Sequence, residues 1–208
     1  MGRTTSKDRR RLELIDATIT AIAQKGLVAT RLADVAAAAG VSYGVVSFYF
    51  KSKDALLLAT LTHLAEEYEI EVGKALARAD DTPAAKLDAI VETDFSAAIA
   101  APNKIAAWTA FWSESRSQRQ FQKRCVELQD AYYAVTYALC REIAEAGQYE
   151  DVDPASVATA LNGLVNGLWV EMQIRGGSFT RAHGKRACRA LLSGAFPREF
   201  QHLVHSAA

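Results

Sequence analysis

Five polar or aromatic side chains, Ser42, Tyr43, Ser47, Tyr49 and Lys53, fall within twelve residues, and Thr30 and Arg31 stand just upstream. Their hydroxyls, ammonium and guanidinium share one chemistry, the donation of hydrogen bonds to oxygen. Short hydroxyl and phenol tips suit the edges of base pairs, and cations suit phosphates. Gly40 can take a positive φ at no steric cost, as a tight turn between crossing helices requires. Ser42 is placed to cap the helix that follows. Val46, Phe50 and one face of Tyr49 carry the apolar load inward, while Gly44 keeps the outer side bare. A short helix, a glycine turn and a second short helix form the helix-turn-helix pattern. Tyr43 and Ser47 are the candidates for base-edge contact. Ser42, Tyr49, Lys53, Thr30 and Arg31 are those for phosphate, and Gly44 is the point of close approach. Tyr49 between two helices also fits a core role.

Aromatic side chains supply a second chemistry. Trp108, Phe111 and Trp112 stand at i, i+3 and i+4 and share one side of a helix. Tyr132, Tyr133, Tyr137 and Trp169 lie on other helices. Ring faces from several helices can enclose an ammonium ion, each contact contributing roughly 0.5–2 kcal/mol when desolvated; the same rings also serve as core packing. Asp94, Glu114 and Glu171 are acids able to balance a cation. Asn162 and Asn166 share a helix face and need partners wherever they are buried. Nothing resembles a catalytic constellation: the four histidines pair with no nucleophile motif, and no phosphate-cradling glycine loop occurs. No enzyme activity, metal or cofactor is expected.

These groups require helices to position them. Apolar residues recur at helical spacing over most of the 208 residues, with four prolines and little strand-like alternation. A first helix is expected from Ser6 or Lys7 to Lys25, burying Leu12, Ile15, Ala17, Ile19, Ile22 and Ala23 and ending at Gly26. Thr30 is expected to cap the second helix. Ser52 opens a long fourth helix to about Arg78, and Lys53 in its first turn opposes the dipole unless an anion sits there. Further helices are expected over Pro83–Ile99, from Lys104 to about Arg116, from Ser117 or Arg119 to Ala146, over Pro154–Arg175 and from Thr180 to about Phe196, with Pro197 as a stop and a loose tail beyond. The fold class is therefore all-α. A three-helix DNA-binding domain is expected over residues 1–55, and an effector-binding and dimerisation domain over 56–208. In the last two helices, Val157, Leu161, Leu164, Val165, Leu168, Met172 and Phe196 offer apolar faces. Gly163 and Gly167 permit close approach, so a homodimer joined through these helices is expected.

Net charge is zero, yet residues 1–55 hold nine Lys/Arg against five Asp/Glu, a surplus of +4 balanced by −4 in the rest. A basic head on an acidic body suits a phosphate-bearing partner. No apolar run approaches the roughly 18 residues of a membrane span, and the N-terminus lacks a secretory signal, so a cytoplasmic protein is expected. Cys125, Cys140 and Cys188 are scattered and odd in number, which fits reduced thiols.

The run A-G-V-S-x-G-x-x-x-x-Y-F-K-S-K, preceded by Thr30 to Ala36, resembles the DNA-binding domain of the TetR family of bacterial repressors. The segments Ala107–Trp112 and Asn166–Trp169 resemble its choline-responsive branch, which represses glycine-betaine synthesis. The resemblance departs at Phe48, where the family commonly carries histidine. It implies a dimeric repressor of double-stranded operator DNA, released by a small cationic, choline-like effector. That effector would be held by Trp108, Phe111, Trp112, Tyr133, Tyr137, Trp169 and Asn166. An aromatic or hydrophobic effector, or a protein of this fold that does not bind DNA, stands as the alternative.

Overall fold

A computed structural model describes residues 6–205 of the chain. All regular structure among them is helical, in ten α-helices and one 3-10 turn. The chain forms two compact units, one of residues up to Glu67 with Pro102–Val126, the other of Tyr68–Ala101 with Glu127 onward.

In the first unit, α1 (Ser6–Lys25) packs on α2 (Leu32–Ala38) and on α6 (Pro102–Glu114), and α2 packs on α3 (Tyr43–Tyr49). The buried face of α1 is Leu14, Ile15, Ala17, Thr18, Ile19, Ala21 and Ile22. Leu12 and Ala23, expected inside, are exposed. The face is rotated because Thr18 is accommodated in the core, its hydroxyl donating to Leu14 O at 2.7 Å. Gly26 and Gly40 take φ of +78° and +65°, closing the two turns as expected. Thr30 does not cap α2. Arg31 occupies that position, with its amide donating to the Asp34 carboxylate at 2.8 Å, and Lys25 holds the same carboxylate at 2.5 Å.

Two helices run from the first unit into the second: α4 (Lys53–Arg78), capped by Ser52 Oγ accepting from Ala55 N at 3.1 Å, and α7 (Arg119–Gly147). In the second unit, α5 (Pro83–Asp94) ends five residues earlier than expected. Phe95 turns inward there and is buried, and Ser96 Oγ accepts from Ile99 N to hold the turn. α8 (Pro154–Arg175) starts at the Asp153 carboxylate, which accepts from Ala155 N and Ser156 N at 3.1 Å. It packs on α9 (Arg181–Ala195), and α9 packs on α5 and on α10 (Pro197–His205). Arg189 on α9 forks onto Asp88 at 2.7 and 2.8 Å and reaches Glu92 at 2.8 Å, tying α9 to α5. Pro197 begins a helix where a stop and a loose tail were expected. Proline at the first helical position loses no hydrogen bond, and Phe200 is fully buried on the new turn.

Cys125, Cys140 and Cys188 are free and buried, and burial pushes their thiols up to about 11, 12 and 12. Gly184 is buried on α9 against the Phe95 ring, where a Cβ would stand 2.7 Å from Cζ and nearer still to Cε1. That ring is locked in the core, so Gly184→Ala forces overpacking. The variant is expected to lose about 2–3 kcal/mol, read as a fall in Tm of roughly 5–10 °C by thermal denaturation.

Candidate nucleic-acid interface and effector site

The outward side of α3 is made by a helix too short to bury more than one face. Val46 and Phe50 are buried, while Tyr43 is 57% and Phe48 66% exposed. Ser42 and Gly44 are exposed, and Ser47 and Tyr49 are half-buried. Ser42 stands at the N-cap and its carbonyl accepts from Val45 N at 3.0 Å, but its hydroxyl makes no bond to the helix, so the expected side-chain cap is not formed. Tyr49 meets Phe48 edge-on at 5.3 Å, and the Arg11 guanidinium lies 5.3 Å from the centre of the Phe50 ring.

Upstream, Arg31 is exposed. Thr30 is buried, and its hydroxyl donates to Gly26 O at 2.7 Å, which spends the side chain inside the turn. Lys53 donates to Val28 O at 2.6 Å. Its place in the first turn of α4 is thus accounted for within the chain, with no anion required.

In the second unit, three aromatic residues converge on one acid. Asp94, at the C-terminal end of α5, is 1% exposed. The Tyr68 hydroxyl from α4 donates to its Oδ1 at 2.7 Å, and the Tyr132 hydroxyl from α7 donates to its Oδ2 at 3.1 Å. Trp169 Nε1, on α8, donates to the Asp94 carbonyl at 3.1 Å. The Tyr68 and Tyr132 rings are 6.3 Å apart and tilted 40°. Among the described residues no basic side chain pairs with this carboxylate. Burial pushes Asp94 up to about 7, against the pull of the two phenol hydrogen bonds. Burial, with the nearby Asp94 charge, also drives Tyr68 and Tyr132 well above the ordinary phenol range. A buried carboxylate among rings, with no cationic side chain beside it, brings together the charge and the ring faces that a small cation attracts.

The three acids considered from sequence are thereby separated. Glu171 pairs with Arg175, and Glu114 accepts from the Ser117 hydroxyl at 2.9 Å. Tyr68 escaped the sequence reading because it sits in a polar run, Glu66-Glu67-Tyr68-Glu69, with no neighbouring aromatic residue to mark it.

The other aromatic candidates fall into separate groups. In the first unit, Trp108 is buried and Trp112 half-buried, their rings 6.1 Å apart. Phe111 is fully enclosed and meets Phe121 edge-on at 5.4 Å. In the second unit, Tyr133 and Tyr137 are half-buried and stacked at 5.8 Å. Asn166 donates to Asn162 Oδ1 at 3.1 Å, and Asn162 donates to Gln129 Oε1 at 2.8 Å, so the amides are satisfied within the unit.

Comparison with known proteins gives the following. Residues 14–60 match the family model for bacterial regulatory proteins of the tetR family, and residues 83–197 match that for the C-terminal part of BetI-type transcriptional repressors. The HTH-type transcriptional regulator BetI of Burkholderia thailandensis is 36% identical over 174 residues, covering 82% of this chain and 85% of that protein. A transcriptional regulator from Pseudomonas aeruginosa PAO1 superposes with a TM-score of 0.79 at 26% identity, over 95% of both chains. One from Saccharomonospora viridis, solved in complex with choline, superposes with a TM-score of 0.75 over 89% of this chain and 96% of that one. At 20% identity, the latter is a likeness of fold.

Proposed function

The chain belongs to the TetR family of bacterial transcriptional regulators, and from that premise we propose that residues 1–55 form its DNA-binding domain and residues 56–208 its effector-binding and dimerisation domain. It is a regulator rather than an enzyme, as its relatives are named. Tyr43 and Ser47 read base edges, with Gly44 allowing α3 close to the duplex. Ser42, Arg31, Tyr49 and Lys53 engage phosphates, Lys53 by exchanging the Val28 carbonyl for an anion. Thr30, whose hydroxyl and amide both donate to Gly26 O, reaches a phosphate by giving up one of those two bonds.

The effector is a small cation of the choline type, and the observation that carries this reading is the buried Asp94 carboxylate, held by the Tyr68 and Tyr132 hydroxyls beside Trp169 and with no basic side chain on it among the described residues. The choline complex of the Saccharomonospora viridis regulator supports the ligand class. In the second unit Tyr133 and Tyr137 add ring faces to the effector response and Asn166 supplies a polar contact, while Trp108, Phe111 and Trp112 form an aromatic group of their own in the first unit. Tyr68 belongs to α4, the helix whose first turn carries Lys53. A cation that draws Asp94 away from Tyr68 therefore acts on an element that begins at the DNA-binding domain. Binding in one place shifts the population that fits the operator.

Two copies join through α8 and α9. Leu161, Val165 and Leu168 are buried within the single chain, and so is Phe196 beyond α9. The open stripe is instead Ala160, Gly163, Gly167, Val170 and Ile174 on α8, beside Ala190 and Gly194 on α9. Glycines let two backbones approach, and Ile174, 73% exposed, gains most by being covered.

The test is fluorescence anisotropy with duplex DNA flanking the chain's own gene, in the cytoplasmic range of salt. Binding should weaken steeply with salt, as phosphate contacts require, and choline should reverse it. DNA binding with no effect of choline, and no heat on titrating choline or betaine aldehyde, removes the cationic effector. Failure to bind any such duplex removes the DNA-binding reading.

A further inference from the structure

The residue at the pole of the outward face of α3 is neither Tyr43 nor Ser47. Residues advance by about 100° around a helix, so Phe48 lies about 160° from both Val46 and Phe50, the two buried positions. Its ring is 66% exposed. One turn earlier, on the same side, stands Gly44. A Cβ there would meet only Ser42 Oγ, at the ordinary distance of 3.7 Å. Its φ lies outside the left-handed region, since among the described glycines only Gly26, Gly40 and Gly176 are positive. Nothing inside the chain therefore calls for glycine at a helical position where it is less stable than alanine. Its bareness leaves the Phe48 ring uncovered toward whatever α3 faces.

The surroundings are basic, with Arg31 and Lys51 exposed on the same small domain, and the first 55 residues carry a surplus of +4. The major groove admits a helix, and every base-pair edge in it is polar except at one group, the C5 methyl of thymine. A phenyl ring offers no donor or acceptor, so facing a guanine, adenine or cytosine edge it would desolvate groups that it cannot satisfy. Facing thymine, it covers a methyl.

We propose that Phe48 is a specificity-determining residue that selects thymine by contact with its C5 methyl at one position of each operator half-site. The assignment rests on the DNA-binding reading above and extends it from register to sequence preference.

The experiment starts from duplexes that the full-length chain itself selects from random sequence. Each thymine is then replaced singly by uracil, which removes only the methyl. One position per half-site is expected to lose roughly 3–5-fold in affinity for the parent, the effect of uncovering one methyl. Phe48→Ala is expected to bind more weakly and to treat thymine and uracil alike at that position. Phe48→Leu is expected to keep a reduced preference, which separates apolar contact from misfolding. Uracil tolerated everywhere by a parent that still binds DNA, or a Phe48→Ala profile identical to the parent's, overturns the assignment and leaves the regulator intact. A parent that selects no duplex at all overturns both.

Discussion

Asp94→Asn is expected to leave operator affinity unchanged while abolishing release by choline at concentrations that free the parent chain. The amide is nearly isosteric and keeps partners for both phenols, because a tyrosine hydroxyl accepts as readily as it donates. What is lost is the charge. Removing one partner of a desolvated ion pair costs about 2–5 kcal/mol, so effector affinity should fall by roughly 30-fold or more. The proton gives a second readout. A cation needs Asp94 ionised, and Asp94 ionises near pH 7. Apparent choline affinity of the parent should therefore rise roughly tenfold between about pH 6 and 8, then level off. Tyr68, Tyr132 and Cys188, which surround the acid, titrate above that window and add no slope within it. The variant should show weak binding at every pH. Calorimetric titration checks both points, and a pH-dependent response retained by Asp94→Asn would place the counter-charge elsewhere.

The same acid sets a stability trend of opposite sense. Its folded value of about 7 lies above the ordinary aspartate value of 3.8, so the folded state holds the proton more tightly. The penalty for burying the ionised group is absent below about pH 4, grows as pH rises toward 7 and is complete above it. Asp94→Asn should thus be more stable than the parent at about pH 8, by on the order of 2–4 kcal/mol, and equal to it near about pH 4.

Gly167→Glu is expected to give a monomer whose operator affinity is lower by roughly two to three orders of magnitude. Gly167 is exposed, and a Cβ there meets nothing within 4 Å, so the single chain tolerates the substitution. A dimer formed along the α8 stripe does not, because the carboxylate would be trapped in an apolar interface, unpaired and facing its own symmetry mate. One head alone engages half the site and forfeits the gain in effective concentration that the second provides. Gly73→Glu, an exposed mid-helix change on α4 with equally open space, serves as the control. Sedimentation velocity and anisotropy decide the matter. A Gly167→Glu dimer with parental affinity would exclude this face of α8 from the contact.

What could be read from the sequence was local. The glycine turn at Gly40, the start of α8 at Asp153-Pro154 and the cap at Ser52 each depend on bonds spanning a few residues, and each forms as expected. The register of the buried face of α1 was not legible, because Thr18 enters the core by donating to its own backbone, which hydropathy does not signal. Pro197 was ambiguous for a related reason: the missing N–H that ends one helix is harmless at the start of another, and only the burial of Phe200 decides between them. Asp94 was visible as one acid among three. Its meaning lay in Tyr68 and Tyr132, 26 and 38 residues away, and no periodicity connects positions on four different helices. Thr30 was read for its hydroxyl, which the turn consumes.

The three enclosed thiols have a practical consequence. With values of about 11 and 12 and little exposure, Cys125, Cys140 and Cys188 hold almost no thiolate at neutral pH. The native chain should stay silent toward maleimide reagents. One cysteine introduced at an exposed site such as Val28 or Ile70 then becomes a unique attachment point for a dye or spin label, with no need to strip out the natural three.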